Sequence, residues 1–148
     1  MAFQDVTAVA TMPLLVVPSI LTPTPPGNIL ATTREPSVLT AYRKAGFKVY
    51  WLSTQRKHGT YDTLTSIFSE DADESESLGG IFDVTGRGAY SGKKDIHLLP
   101  VVEQILTRNE SRVLLVLHTM GSHGPYGMRY PKSQEAFKSK QTGVLDIN

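Results

Sequence analysis

An α/β sandwich with a mainly parallel sheet is the fold class this sequence predicts, and three observations carry it. The run Val113-Leu114-Leu115-Val116-Leu117 is continuously apolar and of strand length, the pattern of a strand covered on both faces. Segments with helical spacing, residues 35–45 and 95–107, alternate along the chain with strand-like segments, which points to helices packed on a sheet. The 148 residues, 40% hydrophobic and 20% charged, have the size and balance of one folded domain, and no second domain is expected.

Taken in order, residues 6–10 read as a short extended segment. Thr11-Met12-Pro13 reads as a helix start, with Thr11 as N-cap and a proline tolerated in the first turn because its missing N–H has no helical partner there. Pro18 limits how far that helix runs undistorted. Thr22-Pro23-Thr24-Pro25-Pro26-Gly27-Asn28 is a loop by composition. Residues 35–45 form a helix with Val38, Leu39 and Tyr42 on its apolar stripe, stopped by Gly46. Residues 47–52, rich in β-branched and aromatic side chains, form a strand.

Residues 61–68 suggest a further helix, and the acidic run 70–76 its solvated end or a loop. Residues 78–84 form a short strand, and 85–92 a glycine-rich loop. The helix over 95–107 places Ile96, Leu99, Val102, Ile105 and Leu106 on one face, with Pro100 early in it. Val113 to Leu117 is then the central strand. Functional groups in such folds gather beyond the carboxyl ends of the strands, so His118-Thr119-Met120-Gly121-Ser122-His123-Gly124-Pro125 is the place to look.

Composition narrows the function. Lysine and arginine total 15 against 14 acidic residues, so there is no concentrated basic field and a nucleic-acid partner is not expected. The absence of cysteine excludes disulfides and thiolate metal sites. The most apolar stretches, residues 12–21 and 113–117, fall well short of the ~20 residues that span a bilayer, so no transmembrane segment is expected. Met1-Ala2-Phe3-Gln4-Asp5 lacks the positive flank of a secretory signal.

Two residues stand out as candidate chemistry. His123, between a serine and a Gly-Pro pair, could ligate zinc or donate to a phosphoryl oxygen; by spacing alone, a histidine that caps a turn is the commoner case. His118, nearer the strand, is expected to be packed or hydrogen-bonded. Thr11, at a helix N-terminus, meets the positive end of the dipole, which favours an alkoxide or an incoming phosphate; taken alone it is an ordinary N-cap. The segment from Gly86 to Lys94 is not a phosphate loop, because its glycine spacing is wrong and Lys94 stands where a magnesium-binding hydroxyl belongs.

Residues 113–131, VLLVLHTMGSHGPYGMRYP, closely resemble the signature of the phosphoethanolamine transferases of the sulfatase and alkaline-phosphatase-like superfamily: an apolar strand, then Gly-Ser-His-Gly-Pro, then Arg-Tyr-Pro. Three further blocks fall in that family's order. Residues 6–11 with 17–22 resemble the nucleophile segment, residues 45–55 (AGFKVYWLSTQ) the strand that follows it, and Asp95 through Leu98-Leu99-Pro100 the helix before the histidine strand. The resemblance covers residues 5–131 of a single partial catalytic domain, with 132–148 as a tail.

The resemblance implies an alkaline-phosphatase-like α/β/α sandwich with a mainly parallel sheet, here incomplete. It implies that Thr11 is the nucleophile that takes phosphoethanolamine from phosphatidylethanolamine as a covalent intermediate. The group then passes to an envelope acceptor, lipid A, core sugar or glucan. It also implies that Thr11 touches zinc, that His123 holds a second metal or the phosphoryl group, and that the domain faces the periplasm from the inner membrane as part of a longer protein. The chain departs from the family in Pro13 and Leu14 after Thr11, in having no cysteines, and in lacking the family's other zinc ligands and membrane helices. A fragment, a truncated reading frame or a decayed copy is therefore expected, with marginal stability. A sulfatase-like hydrolase or phosphodiesterase, and a non-catalytic remnant of the fold, are the competing readings.

Overall fold

The structure, a computed structural model, describes residues 5–25, 28, 35–57, 63–79, 93–121, 127 and 129–135. The described elements run in the order α1 (Pro13–Leu21), α2 (Val38–Lys44), β1 (Lys48–Ser53), α3 (Thr63–Ser66), a 3₁₀ turn (Ile67–Asp71), β2 (Glu74–Ser77), a 3₁₀ turn (Asp95–Leu98), α4 (Leu99–Leu106), β3 (Val113–His118) and a last 3₁₀ turn (Lys132–Gln134). The strands form one parallel sheet in the order β2-β1-β3. Tyr50 stands opposite Glu74 on one side and Leu115 on the other.

Alternation along β1 builds two cores from one strand. Val49 and Trp51 point to one face, where they pack with Leu39 of α2 and Phe68 of the first 3₁₀ turn. Tyr50 and Leu52 point to the other, against Leu98 and Ile105. β3 splits the same way, with Leu114 and Val116 on the first core and Val113 and Leu115 on the second. Helices thus cover both faces, giving the expected α/β/α layering and parallel sheet.

The central strand among those described is β1, not the 113–117 run. Residues 49–53 of β1 are all buried, whereas β3 is only partly covered and its Leu117 is 47% exposed. A continuous apolar run is compatible with burial on both faces but does not enforce it; position in the sheet decides. β1 gains its place by having a hydrogen-bonded neighbour on each side.

Local chemistry sets the helix ends. α2 begins at Val38 rather than 35, because Pro36 disfavours helical backbone at Glu35 and Ser37 caps instead, its Oγ accepting from Thr40 N at 3.3 Å. Leu39 is its fully buried anchor, while Val38 and Tyr42 are more than a third exposed. Gly46 sits at φ +81° just past the C-cap, the left-handed stop expected of it. α1 continues past Pro18, whose carbonyl accepts from both Thr22 N and Thr22 Oγ1.

Further expectations need correction. The acidic run contains strand β2, which no apolar alternation announces because all four of its side chains are exposed. Asp73 starts it: its N–H donates to Val49 O and its carboxylate accepts from Val49 N, each at 2.8 Å. The 95–107 helix is a 3₁₀ turn followed by α4. With about three residues per turn rather than 3.6, the turn carries Leu98 into the core, while Ile96, Leu99 and Leu106 stay exposed. Leu78 and Gly79 lie outside any strand; the rest of the 78–84 segment and the 85–92 loop lie outside the described residues.

The edge strand is also held by charge. Glu74 pairs with Lys48 at 3.5 Å and with Arg108 at 2.8 Å, exposed contacts that solvent screens. Arg108 also donates to Tyr50 Oη, which bonds the Glu110 carboxylate at 2.9 Å. Burial, reinforced by Glu110, raises the Tyr50 phenol above its ordinary pKa, so it stays neutral through physiological pH.

If apolar burial around β1 dominates, Leu39→Ala costs about 2–5 kcal/mol, while Tyr50→Phe costs only about 0.5–1.5 kcal/mol, because Glu110 and Arg108 can turn to water. Urea unfolding of both variants measures the difference. Equal losses would place the polar cluster on a par with the core.

Candidate functional site

All three strands point their carboxyl ends the same way, so the segments that follow Ser53, Ser77 and His118 converge. Ser53 Oγ lies 3.0 Å from His118 Nδ1, and the His118 ring lies 5.4 Å from that of Trp51. His118 is therefore the hydrogen-bonded residue the sequence suggests. Gln55 spans the gap: its Nε2 donates to Thr119 O at 2.8 Å, its N–H donates to Ser53 Oγ, and its carbonyl accepts from Ser77 Oγ at 2.5 Å. Gly79 passes so close that a Cβ there would stand 2.5 Å from the Gln55 carbonyl carbon. Only glycine fits this crossing.

Beside this bridge lies the most heavily bonded carboxylate of the site. Asp95 Oδ1 accepts from Thr54 Oγ1 at 2.5 Å and from Met120 N at 2.9 Å, and Oδ2 accepts from Gly121 N at 2.8 Å. Met120 N also reaches Thr54 Oγ1 at 3.0 Å, while Thr54 N donates to His118 O at 3.1 Å. Thr54 is fully buried. Burial pushes the Asp95 pKa up, but the bonds from Thr54, Met120 and Gly121, with the positive charge of Arg129, outweigh it and leave the group below the ordinary carboxylate value. The preceding residue, Lys94, donates from Nζ to Tyr130 O at 2.9 Å. Lys94 thus serves a backbone carbonyl, in keeping with its exclusion from any phosphate loop.

A cleft of about 60 Å³ opens on the Trp51 face, lined by Ser53, Ser66 and Ser75 together with Arg56 and Lys57. Much of its polarity is used internally. Ser66 Oγ donates to Lys57 O, Ser69 Oγ donates to Ser66 O, and Lys57 pairs with Glu70 at 2.6 Å.

The residues singled out from sequence fare differently. Thr11 is exposed and is not the N-cap. Met12 holds that position in extended backbone and Pro13 is the first helical residue, so Thr11 stands one residue outside the helix. With extended backbone at Met12 and no N–H on Pro13, the helix begins after Thr11 rather than at it. His123 lies outside the described residues. Among the described residues, no group of three or more His, Asp or Glu side chains is arranged to hold a metal ion. Thr11 is a single weak oxygen donor, so the described part of the chain does not fit a zinc centre. No described helix is long and apolar enough to cross a membrane.

Sequence reasoning missed Thr54 and Asp95 as site residues. Each is an isolated polar residue, separated by 41 positions, and no spacing rule joins them. The available signal was that both lie inside blocks of the family resemblance.

Comparison with known proteins gives these features a context. A family model described as sulfatase matches residues 1–145. Among curated proteins, the phosphoethanolamine transferase OpgE of Escherichia coli is 36% identical over 107 residues, which is 70% of this chain and 19% of that protein. The phosphoethanolamine transferase CptA of Salmonella typhimurium is 24% identical over 111 residues, 74% of this chain and 18% of that protein. The chain thus spans about a fifth of the curated relatives it matches. The solved C-terminal periplasmic domain of EptC from Escherichia coli, a complex with zinc, superposes with a TM-score of 0.70 at 22% identity over 88% of this chain and 35% of that one. At that identity the superposition shows a shared fold, the alkaline-phosphatase-like α/β/α sandwich expected from the sequence. The chain belongs to the sulfatase family, with phosphoethanolamine transferases as its matching relatives.

Proposed function

We propose that this chain carries the nucleophile segment and the histidine-strand segment of a phosphoethanolamine transferase. The donor is phosphatidylethanolamine, and the acceptor is an envelope glycan or the lipid A or core region of lipopolysaccharide. The observation that carries the reading is the convergence of Ser53, Thr54, Asp95 and Met120-Gly121 at the carboxyl end of the sheet, where the Gly-Ser-His-Gly-Pro block that resembles the transferases begins with Gly121. Matches to several phosphoethanolamine transferases support it. By the same resemblance, the domain works at the periplasmic face of the inner membrane within a longer protein.

In this reading Thr11 Oγ attacks the phosphorus of the lipid. An O–P bond forms, the P–O bond to diacylglycerol breaks, and diacylglycerol leaves as an alcohol with the proton that Thr11 gives up. An acceptor hydroxyl or phosphate oxygen then attacks the same phosphorus; a new O–P bond forms, the Thr11 Oγ–P bond breaks, and Thr11 Oγ takes back a proton, the one released by the acceptor hydroxyl or, when a phosphate oxygen attacks, one from solvent. The exposure of Thr11 suits approach of a lipid headgroup, and the start of α1 nearby offers a positive dipole end to the phosphoryl oxygens. His123 is proposed to hold the phosphoryl group or a second metal. Zinc belongs to the family reading through Thr11 and His123, but the described residues do not make its site and neither step here goes through it.

The test is mass spectrometry of the full chain after incubation with a soluble short-chain phosphatidylethanolamine, with and without added zinc. The transfer reading expects one phosphoethanolamine group on the peptide containing Thr11, and none in Thr11→Ala. An adduct on another residue would remove Thr11 from its role. Free phosphoethanolamine without any adduct would favour a hydrolase, and no reaction in either condition would favour the non-catalytic scaffold.

A further inference from the structure

We propose that Asp95 is a positioning residue: its carboxylate grips Thr54, Met120 and Gly121 together and so sets the backbone turn at the end of β3, two residues before His123. The role of that turn rests on the transferase reading; the grip itself is a property of this fold. Three donors from two other segments converge on one side chain. One is the hydroxyl of Thr54, the first residue after β1, and two are successive backbone N–H groups beyond β3. Both carboxylate oxygens are used, so the neutral amide of an asparagine could not replace it. It has one acceptor oxygen and would turn an NH₂ donor toward a backbone donor. Gly121 adopts φ +54° at this point, a left-handed backbone that an external acceptor helps to hold.

The neighbouring side chain completes the device. Lys94 holds the Tyr130 carbonyl, so two adjacent residues at the start of one 3₁₀ turn grasp the chain at Gly121 and again at Tyr130. Neither bond contributes to an apolar core, and neither is needed to pair the strands. A carboxylate placed where it collects N–H groups from a turn after a strand end acts through the backbone it orients.

The grip depends on charge, and the sign follows from the direction of the shift. Asp95 titrates below its ordinary value of 3.8 when folded. The grip is therefore complete above that value and is lost as pH falls through the lowered one. The other titratable or charged groups of the surrounding elements are Arg129, Lys94 and His97 on its own turn, and His118 at the end of β3.

Amide NMR and hydrogen exchange on the full chain test this without reference to transfer activity. In the wild type, the Met120 and Gly121 resonances shift together in a single acidic transition below the ordinary aspartate value. Asp95→Asn removes that transition and speeds exchange at those two amides on the order of tenfold, while the amides of Val49 to Leu52 keep their protection. Lys94→Met leaves the transition in place. Retained protection and an unchanged transition in Asp95→Asn would overturn the proposal, as would loss of protection spread equally through β1. If Asp95→Asn does not fold, the wild-type titration decides: two amides moving with one carboxylate support the grip, and amides that do not move refute it. An absent Thr11 adduct with this amide pattern intact would remove the transferase reading and leave the grip standing.

Discussion

The backbone and side chains of β1 are the constraint on which the rest of the structure depends. Its N–H and C=O groups are shared with β2 on one edge and β3 on the other, and its side chains anchor a core on each face. The helices do not contact a generic apolar slab. They pack around four buried side chains, Val49 and Trp51 on one face, Tyr50 and Leu52 on the other, flanked by Leu114 and Val116 and by Val113 and Leu115 of β3. Each fully buried side chain of this kind contributes ~1.5–3 kcal/mol of transfer free energy, whereas the exposed ion pairs along β2 contribute little. The same strand also delivers Ser53, Thr54 and Gln55 in sequence to its carboxyl end. Packing and placement of polar groups are therefore two consequences of one register.

That placement explains why the polar cluster forms where it does. Parallel strands end on one side, and the backbone there has left its ladder and needs partners. Gln55 and Asp95 supply them, one to the carbonyl of Thr119 and the other to the N–H groups of Met120 and Gly121. Gly79 can pass only because it lacks a Cβ. The turn after β3 is thus held by side chains from two other segments, which lets a short strand end in a defined direction rather than fray.

Much of this was legible in the sequence where one period or one residue type dominates. Gly46 marked the end of α2, aromatic and β-branched residues marked β1, and the apolar run marked β3. The legible part failed where tertiary context decides. β2 is an acidic segment that becomes a strand because Asp73 and Val49 exchange hydrogen bonds, and no alternation records that. Pro36 moved the start of α2, and a 3₁₀ turn rephased the helix that follows Lys94. For the candidate site, the family blocks located the right end of the sheet. The Thr11 cap argument, however, was displaced by one residue, since Met12 takes the extended N-cap position before Pro13. Thr54 and Asp95 were invisible because a carboxylate reveals its partners only once the chain is folded around it.

Native-state hydrogen exchange across the sheet tests the organising role of β1 most directly. The account predicts that the amides of Tyr50, Trp51 and Leu52 are the slowest in the chain and open only with global unfolding, while those of β2 and β3 exchange through smaller, local openings. Slower exchange in β3 than in β1 would contradict it, and would move the centre of the fold to the 113–117 run.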